Sequence, residues 1–234
     1  HELRTPLTSI QGYVETLTEE PAPDAVTTRE FLAVIQKNAS RMSRITEDLL
    51  ALASVESPDY RLAVQPAKAS ELVRDAIDSL GGLIADSSIE LRSSGAPDTL
   101  VHADPDAMNQ VFGNLIENAL KYGKSGKQIL VGADAHEKEV EFFVRDFGPG
   151  IASEHLDRIF ERFYRIDKAR SRESGGTGLG LAIVRHIGQA HGGRIWAQSE
   201  LGSGAAFHFT LPVVPQPNPV PQQALTPEST QESS

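Results

Sequence analysis

At 234 residues, 39% hydrophobic and 23% charged, the chain has the make-up of a globular protein, with room for one domain of about 150 residues and a smaller element. The absence of cysteine excludes disulfides and cysteine-based zinc sites and fits a reducing compartment. A net charge of −10 argues against general nucleic-acid binding, which uses a basic face, but leaves room for a local basic pocket. No apolar run approaches the ~18 residues of a membrane span and no signal peptide is present, so any anchor is expected upstream of this stretch.

Leu3, Leu7, Ile10, Val14 and Leu17 repeat as a heptad seam, followed by the Pro-rich turn "EEPAPDAV". A second helical run follows, with Ile35, Ala39, Met42, Ile45, Leu49 and Leu52 on its buried side. Two such helices make an antiparallel hairpin, and one hairpin cannot bury both sides of the seam. Pairing with a second copy into a four-helix bundle is therefore expected; packing of the hairpin on the rest of its own chain is the alternative. The seam is already running at Leu3 with no cap before His1, which predicts a helix continuing upstream.

Residues 61–65 read as a strand and 70–86 as a helix capped by Ser70. Short strands near 88–92 and 99–102 lead to a helix with Asp104 as cap, Pro105 in its first turn and Gly123 as its stop. "KQILVGADA" and "EVEFFVRD" are neighbouring strands, the second alternating through Val140, Phe142 and Val144. Two glycine-bearing loops, a helix over 179–191 and strands at 193–199 and 205–211 complete an α/β unit. From Pro212 onward the Pro/Gln/Ser-rich composition predicts a disordered tail. The expected divisions are 1–57, 61–213 and 214–234.

The opening "HELRT" is not a zinc-peptidase motif, because Thr5 stands where the second histidine is required. The heptad frame instead puts His1, Glu2 and Thr5 at solvent-facing positions, with His1 and Thr5 one turn apart. An exposed imidazole beside a carboxylate suits a nucleophile or proton acceptor. Pro6 lacks the N–H that would bond the Glu2 carbonyl and loosens the helix there. An ordinary bundle surface would look the same.

In "NQVFGNLIENALKY", Asn114, Asn118 and Lys121 or Tyr122 share one helix face while Val111, Leu115 and Ala119 form another. An amide oxygen can ligate Mg2+ and a lysine one turn on can meet phosphates; a solvated polar face is the bland reading. "RDFGPGI" sets Asp146 at a strand end, where a carboxylate can accept an amino hydrogen of a base such as adenine. "SGGTGLGLAIV" runs into a helix start, which favours anions. Gly176-Thr-Gly178-Leu-Gly180 is not the G-x-G-x-x-G of a dinucleotide fold, and "GKSGK" has Asn118 where a P-loop needs glycine.

These sites, in this order, resemble the sensor histidine kinases of bacterial two-component systems. "HELRTPL" is similar to their phosphoacceptor box and "NLIENALKY" to their N box. "DFGPGI" is similar to their G1 box, "FERFYRIDKARS" to their F box and "GGTGLGLAIV" to their G2 box, together spanning residues 1–212. "HELRTPLTSIQGY" with "ERFYRIDKARSRESGGTGLGLAIVRH" most resembles the phosphate-regulon sensor subfamily.

The resemblance implies an α+β chain, a dimerising helical hairpin followed by an α/β-sandwich ATP-binding domain of the Bergerat (GHKL) type. It implies that His1 accepts the γ-phosphoryl group of ATP, Glu2 takes the ring proton, and Thr5 with Glu2 orients a water for dephosphorylating a response regulator. Asn118 would hold Mg2+, with Asn114 and Lys121 beside the phosphates and Tyr122 near the nucleotide. Asp146 would read the adenine amino group between Gly148 and Gly150, and Arg165 would reach the phosphates. Gly176, Gly178 and Gly180, with Thr177 and Leu179 between them, would form a hinged lid. The implied partners are a second copy and a regulator's receiver domain, at the cytoplasmic side of a bacterial inner membrane. Phe147 departs from a G1 position that is often polar in the family. A phosphatase-biased or scaffold protein of the same build and a chaperone- or topoisomerase-type ATPase are the alternatives. The latter use a glutamate where this chain has Asn114.

Overall fold

The computed structural model describes residues 2–19, 21, 23–57, 59–85, 89–167 and 176–215, without the side chains of 81–85. His1 and the tail beyond residue 215 lie outside the described residues.

The hairpin consists of α1 (Arg4–Thr18) and α2 (Ala25–Glu56). Asp24 caps α2: its Oδ1 accepts from the backbone N–H of Val26 at 2.8 Å and of Thr27 at 3.0 Å, supplying partners for donors that a helix start leaves unpaired. The helices meet through the Tyr13 and Phe31 rings, 4.9 Å between centroids, and through Asn38 Nδ2 donating to Ser9 Oγ at 3.4 Å. Pro6 falls in the first described turn of α1. On α2, Ile45 and Leu52 are buried and Ile35, Met42 and Leu49 half-buried, but Ala39 is exposed. Arg41 is buried in its place. Its stem packs inward and its Nη2 donates to Glu2 Oε2 at 3.3 Å, tying the start of α1 to α2.

The remainder comprises β1 (Gln65–Lys68), α3 (Ala69–Ala85), β2 (Glu90–Ser93), β3 (Leu100–Ala103), α4 (Pro105–Tyr122), β4 (Gln128–Ala135), β5 (Glu139–Asp146), α5 (Ser153–Leu156), α6 (Gly180–Ala190), β6 (Ile195–Ser199) and β7 (Ala205–Pro212). Five strands form one sheet in the order β2-β4-β5-β7-β6, with β2 parallel to β4 and the other neighbours antiparallel. β1 and β3 form a separate antiparallel ribbon. The alternation of β5 turns Val140, Phe142 and Val144 to the helices, and all three are fully buried. Phe142 stacks on Phe209 at 5.0 Å, and Phe112 of α4 meets both edge-on. This aromatic cluster fixes α4 on the sheet.

A polar pin sets α4 against α6. Asp104 caps α4, its Oδ1 accepting from the N–H of Asp106 and Ala107, while its Oδ2 accepts from Ala63 N–H at 2.8 Å. The N–H of Asp104 donates to Nε2 of His191, just past the end of α6, at 3.1 Å, and His191 Nδ1 donates to the Ile187 carbonyl at 2.8 Å. Both bonds are satisfied by a neutral ring, and burial holds the His191 pKa below its ordinary value.

Three local expectations are corrected. The strand expected at 61–65 lies at 65–68, because residue 63 is held by the Asp104 cap before pairing with β3 begins. Helix α3 begins at Ala69, so Ser70 is not its cap. Instead Ser70 Oγ donates to Asp98 at 2.5 Å, and the N–H groups of Ala69 and Ser70 donate to the Thr99 and Pro97 carbonyls. The chain stays ordered past Pro212: Val213 bridges to Val101 and Val214 N–H donates to the Leu100 carbonyl.

Candidate functional site: a glycine-lined cleft on α4

Helix α4 organises the cleft, and the glycines around it mark where other backbones come close. Asn114 Nδ2 donates to the Gln110 carbonyl at 3.0 Å, which turns its Oδ1 toward the start of α6. There a Cβ on Gly180 would lie 2.6 Å from that oxygen, so the N box and the G2 loop touch through an atom-sized gap that only glycine leaves open. One turn on is Asn118, half-buried, and beyond it Lys121 and Tyr122. Lys121 Nζ pairs with Glu117 Oε2 at 3.1 Å on the helix surface. Tyr122 is 45% exposed, and its hydroxyl would lie 2.9 Å from a Cβ on Gly176.

Asp146 closes the far end. Its Oδ1 accepts from Gly148 N–H at 2.8 Å, bending the chain back so that Gly148 packs on Gly123 and the Tyr122 carbonyl. Burial pushes the Asp146 carboxyl above the usual carboxylate range, and the amides of Gly148 and Ala205 oppose that. A buried carboxylate is suited to accept from an amino group. Gly150 has φ +73°, and a Cβ there would meet the Glu200 carbonyl oxygen at 2.1 Å. The loop is braced by Ser199, whose Oγ accepts from Ile151 N–H at 2.7 Å and donates to the Gly204 carbonyl at 2.6 Å. Phe147 packs with the Arg145 guanidinium over its ring at 4.9 Å.

The F-box segment supports the other wall. Phe163 has φ +61°, unusual for a side chain of that size, and its N–H donates to the Gly178 carbonyl at 2.8 Å. Arg165 follows, half-buried. Leu179 is fully buried in the core, so only its backbone can serve the cleft. Thr177 Oγ1 donates to Asp48 Oδ2 of α2 at 2.5 Å, joining the glycine loop to the hairpin. An open groove of about 590 Å3 lies apart from the cleft, along α2, but its charged groups already pair: Glu56 meets Arg162 and His186.

The structure thus brings Asn114, Tyr122, Asp146, Gly148, Gly176 and Gly180 into one cleft, with Asn118 and Lys121 on the same helix. Glu2 lies on the hairpin against Arg41 and Thr5 is exposed on α1, while His1 lies outside the described residues. Three contributors escaped the sequence reading. Gly204 would put a Cβ 2.1 Å from the Asp146 carbonyl oxygen, and "LGSGAA" carried that signal as a second glycine pair. Ser199 and Asp48 carried no local signal at all.

Among the described residues, no cluster of three or more His, Cys, Asp or Glu forms a metal site. The amide side chains of Asn114 and Asn118 on α4 are neutral oxygen donors for a cation. That fits an ion which arrives with phosphates and keeps most of its water.

Residues 1–58 match the family model described as the His Kinase A (phospho-acceptor) domain. Residues 103–215 match that of the histidine kinase-, DNA gyrase B- and HSP90-like ATPase. The sensor histidine kinase WalK of Bacillus subtilis is 40% identical over 218 residues, covering 91% of this chain and 35% of the relative. The chain thus spans about a third of the length of that relative. Full-length ShkA, solved in complex with AMPPNP, superposes with a TM-score of 0.68 at 30% identity over 94% of this chain and 46% of its own. Histidine kinase ThkA, solved in complex with the response regulator TrrA, gives 0.72 at 25% identity over 92% and 59%. Sequence relatives of this kind are WalK sensors, so they do not support the phosphate-regulon subfamily expected from the opening, F- and G2-box wording. Carrying the phospho-acceptor module and the ATPase module in series, the chain belongs to the sensor histidine kinases.

Proposed function

We propose that this chain is the catalytic core of a sensor kinase that moves the γ-phosphoryl group of ATP to His1 and then to an aspartate of a response regulator. The observation that carries the reading is the meeting of Asn114 and Tyr122 with the G1 and G2 glycines, on a chain whose opening matches a phospho-acceptor module. In the first step a bond forms between an imidazole nitrogen and phosphorus as the bond from phosphorus to the ADP oxygen breaks. The proton on the other ring nitrogen passes to Glu2, whose Oε2 is held by Arg41. Such a transfer depends mainly on positioning and charge neutralisation.

Asp146 accepts from the adenine amino group, and Gly148 and Gly150 keep that pocket open. Lys121, drawn off Glu117, and Arg165 neutralise phosphate charge. Asn118, with Asn114 beside it, holds Mg2+, which when bound shields charge on the phosphates. Residues 176–180 cover the triphosphate and exclude water. Residues 1–57 form the dimerising phosphotransfer unit and 61–213 the ATP-binding unit. Leu3, Leu7 and Val14 are 38%, 45% and 44% exposed in the single chain, which supports burial of the seam against a second copy. A receiver domain binds this chain at the hairpin that carries His1; the complex of ThkA with the response regulator TrrA supports a regulator as partner. Regulator dephosphorylation uses Thr5 and Glu2.

Incubation with γ-labelled ATP tests the reading. The label is expected to be acid-labile and alkali-stable and to vanish in His1→Gln; label persisting in that variant would overturn the assignment.

A further inference from the structure

Asp48 belongs to the hairpin, yet its carboxylate lies within the electrostatics of the nucleotide cleft. It accepts from Thr177 Oγ1 at 2.5 Å, and Thr177 Oγ1 in turn accepts from the N–H of Leu179 at 3.3 Å, the residue that precedes α6. Lys121 attracts the carboxylate and Glu117 repels it. Burial is the larger influence and raises its pKa, so docking strips water from a group that carries charge at neutral pH when free. Glu56, eight residues further along α2, holds Arg162 and His186 of the catalytic unit independently. The docking of α2 therefore does not hang on Asp48 alone.

A start of a helix and a nearby lysine favour one anion, and they favour a second only by sharing the same field. Asp48 already draws on Thr177 and Lys121, the groups at the phosphate end of the cleft. We propose that Asp48 is a positioning residue that competes with the terminal phosphates of a nucleoside triphosphate for Thr177 and the Lys121 field, so that triphosphate binding frees the glycine loop from α2. The inference rests on the nucleotide reading given above and adds to it a charge-specific coupling between cleft and hairpin. Adenosine, which carries no phosphate, does not enter that competition.

Titration calorimetry of the full chain and of Asp48→Asn with adenosine, ADP and the β,γ-imido analogue of ATP, each with Mg2+, tests this. The variant is expected to bind the triphosphate at least threefold tighter, ADP by a smaller factor, and adenosine unchanged. Asp48→Ser should give the same ranking and covers poor folding of the first variant. An equal gain for adenosine and triphosphate marks a merely structural contact and overturns the proposal, as does unchanged or weaker triphosphate binding. If neither the native chain nor the variants bind any of the three, the nucleotide reading itself falls and this inference with it. Binding of all three without a phosphate-graded gain removes the inference alone.

Discussion

Gly123 and Asp146 stand so close that a Cβ on the first would lie 2.6 Å from the Cβ of the second. The glycine ends α4 with φ −89°, a conformation that alanine also adopts, so it is the approach of the G1 loop and not the backbone angle that requires glycine here. Gly123→Ala would push Asp146 outward from both sides, since the Ala119 carbonyl oxygen is also within 2.7 Å of that Cβ position. Overpacking of this kind costs about 1–3 kcal/mol. Denaturant unfolding should report that loss, and adenosine affinity should fall tenfold or more as Asp146 leaves its place. Unchanged adenosine affinity in a folded variant would contradict the role given to Asp146.

The neutral His191 that joins α4 to α6 predicts a pH dependence. Its folded pKa lies below the ordinary value of 6.5, chiefly through burial. The unfolded chain therefore takes up a proton at this ring before the folded chain does. Its contribution to stability is present above about pH 6.5 and is lost as the pH falls through the folded pKa. His191→Gln, which cannot reproduce both bonds, should be less stable by about 1–3 kcal/mol at pH 8. That gap should narrow as denaturation is repeated at progressively lower pH, and a gap independent of pH would show that the ring is not held neutral.

How much of this was legible in the chain depends on the range of the signal. Asp104 and Pro105 mark the start of α4, and the alternation of Val140, Phe142 and Val144 marks the buried face of β5; both are local patterns and both stand in the structure. Asp146 at a strand end and the glycines after it are likewise local. Residues 61–65 have the make-up of a strand, but the N–H of Ala63 donates to Asp104, 41 residues away, and pairing with β3 begins only at Gln65. Ser70 has the residue type and position of a cap, but the loop before β3 had already supplied partners for those donors. Contact between Asp48 and Thr177 spans 129 residues and has no periodicity to betray it. Gly123 stops α4 as its sequence position implies, but the sequence holds no trace of Asp146 lying behind it.

Ser199 tests the support beneath the G1 loop. Its hydroxyl accepts from Ile151 N–H and donates to the Gly204 carbonyl, bridging the loop after β5 to the turn before β7. Ser199→Ala leaves both backbone groups without that partner, a loss of about 1–3 kcal/mol where they remain dry. Because Gly150 packs on Glu200 beside this bridge, the loop should loosen toward the Asp146 pocket. Faster amide exchange at Ile151 and a several-fold loss of ATP affinity are expected, with exchange at Ile187 in α6 unchanged. Uniformly faster exchange would point to global destabilisation and against a local brace.

In the proposed function, Thr5 separates two reactions that share the hairpin. It is exposed on α1, three residues past Glu2, and no described hydrogen bond or ion pair engages its side chain. Removing its hydroxyl should therefore leave the fold unchanged within about 0.5 kcal/mol, as is usual for surface positions. Transfer from ATP to His1 needs the imidazole, the nucleotide and the proton acceptor, none of which Thr5 supplies. Hydrolysis of the regulator's phosphoryl group needs an oriented water, and in the proposed function the Thr5 hydroxyl holds it. In Thr5→Ala the initial rate of labelling from ATP should stay within twofold of the native chain, while release of phosphate from a phosphorylated regulator should slow by about tenfold, at the low end of what one general acid–base contact contributes. Equal loss of both rates would mean that Thr5 shapes the hairpin and not the water.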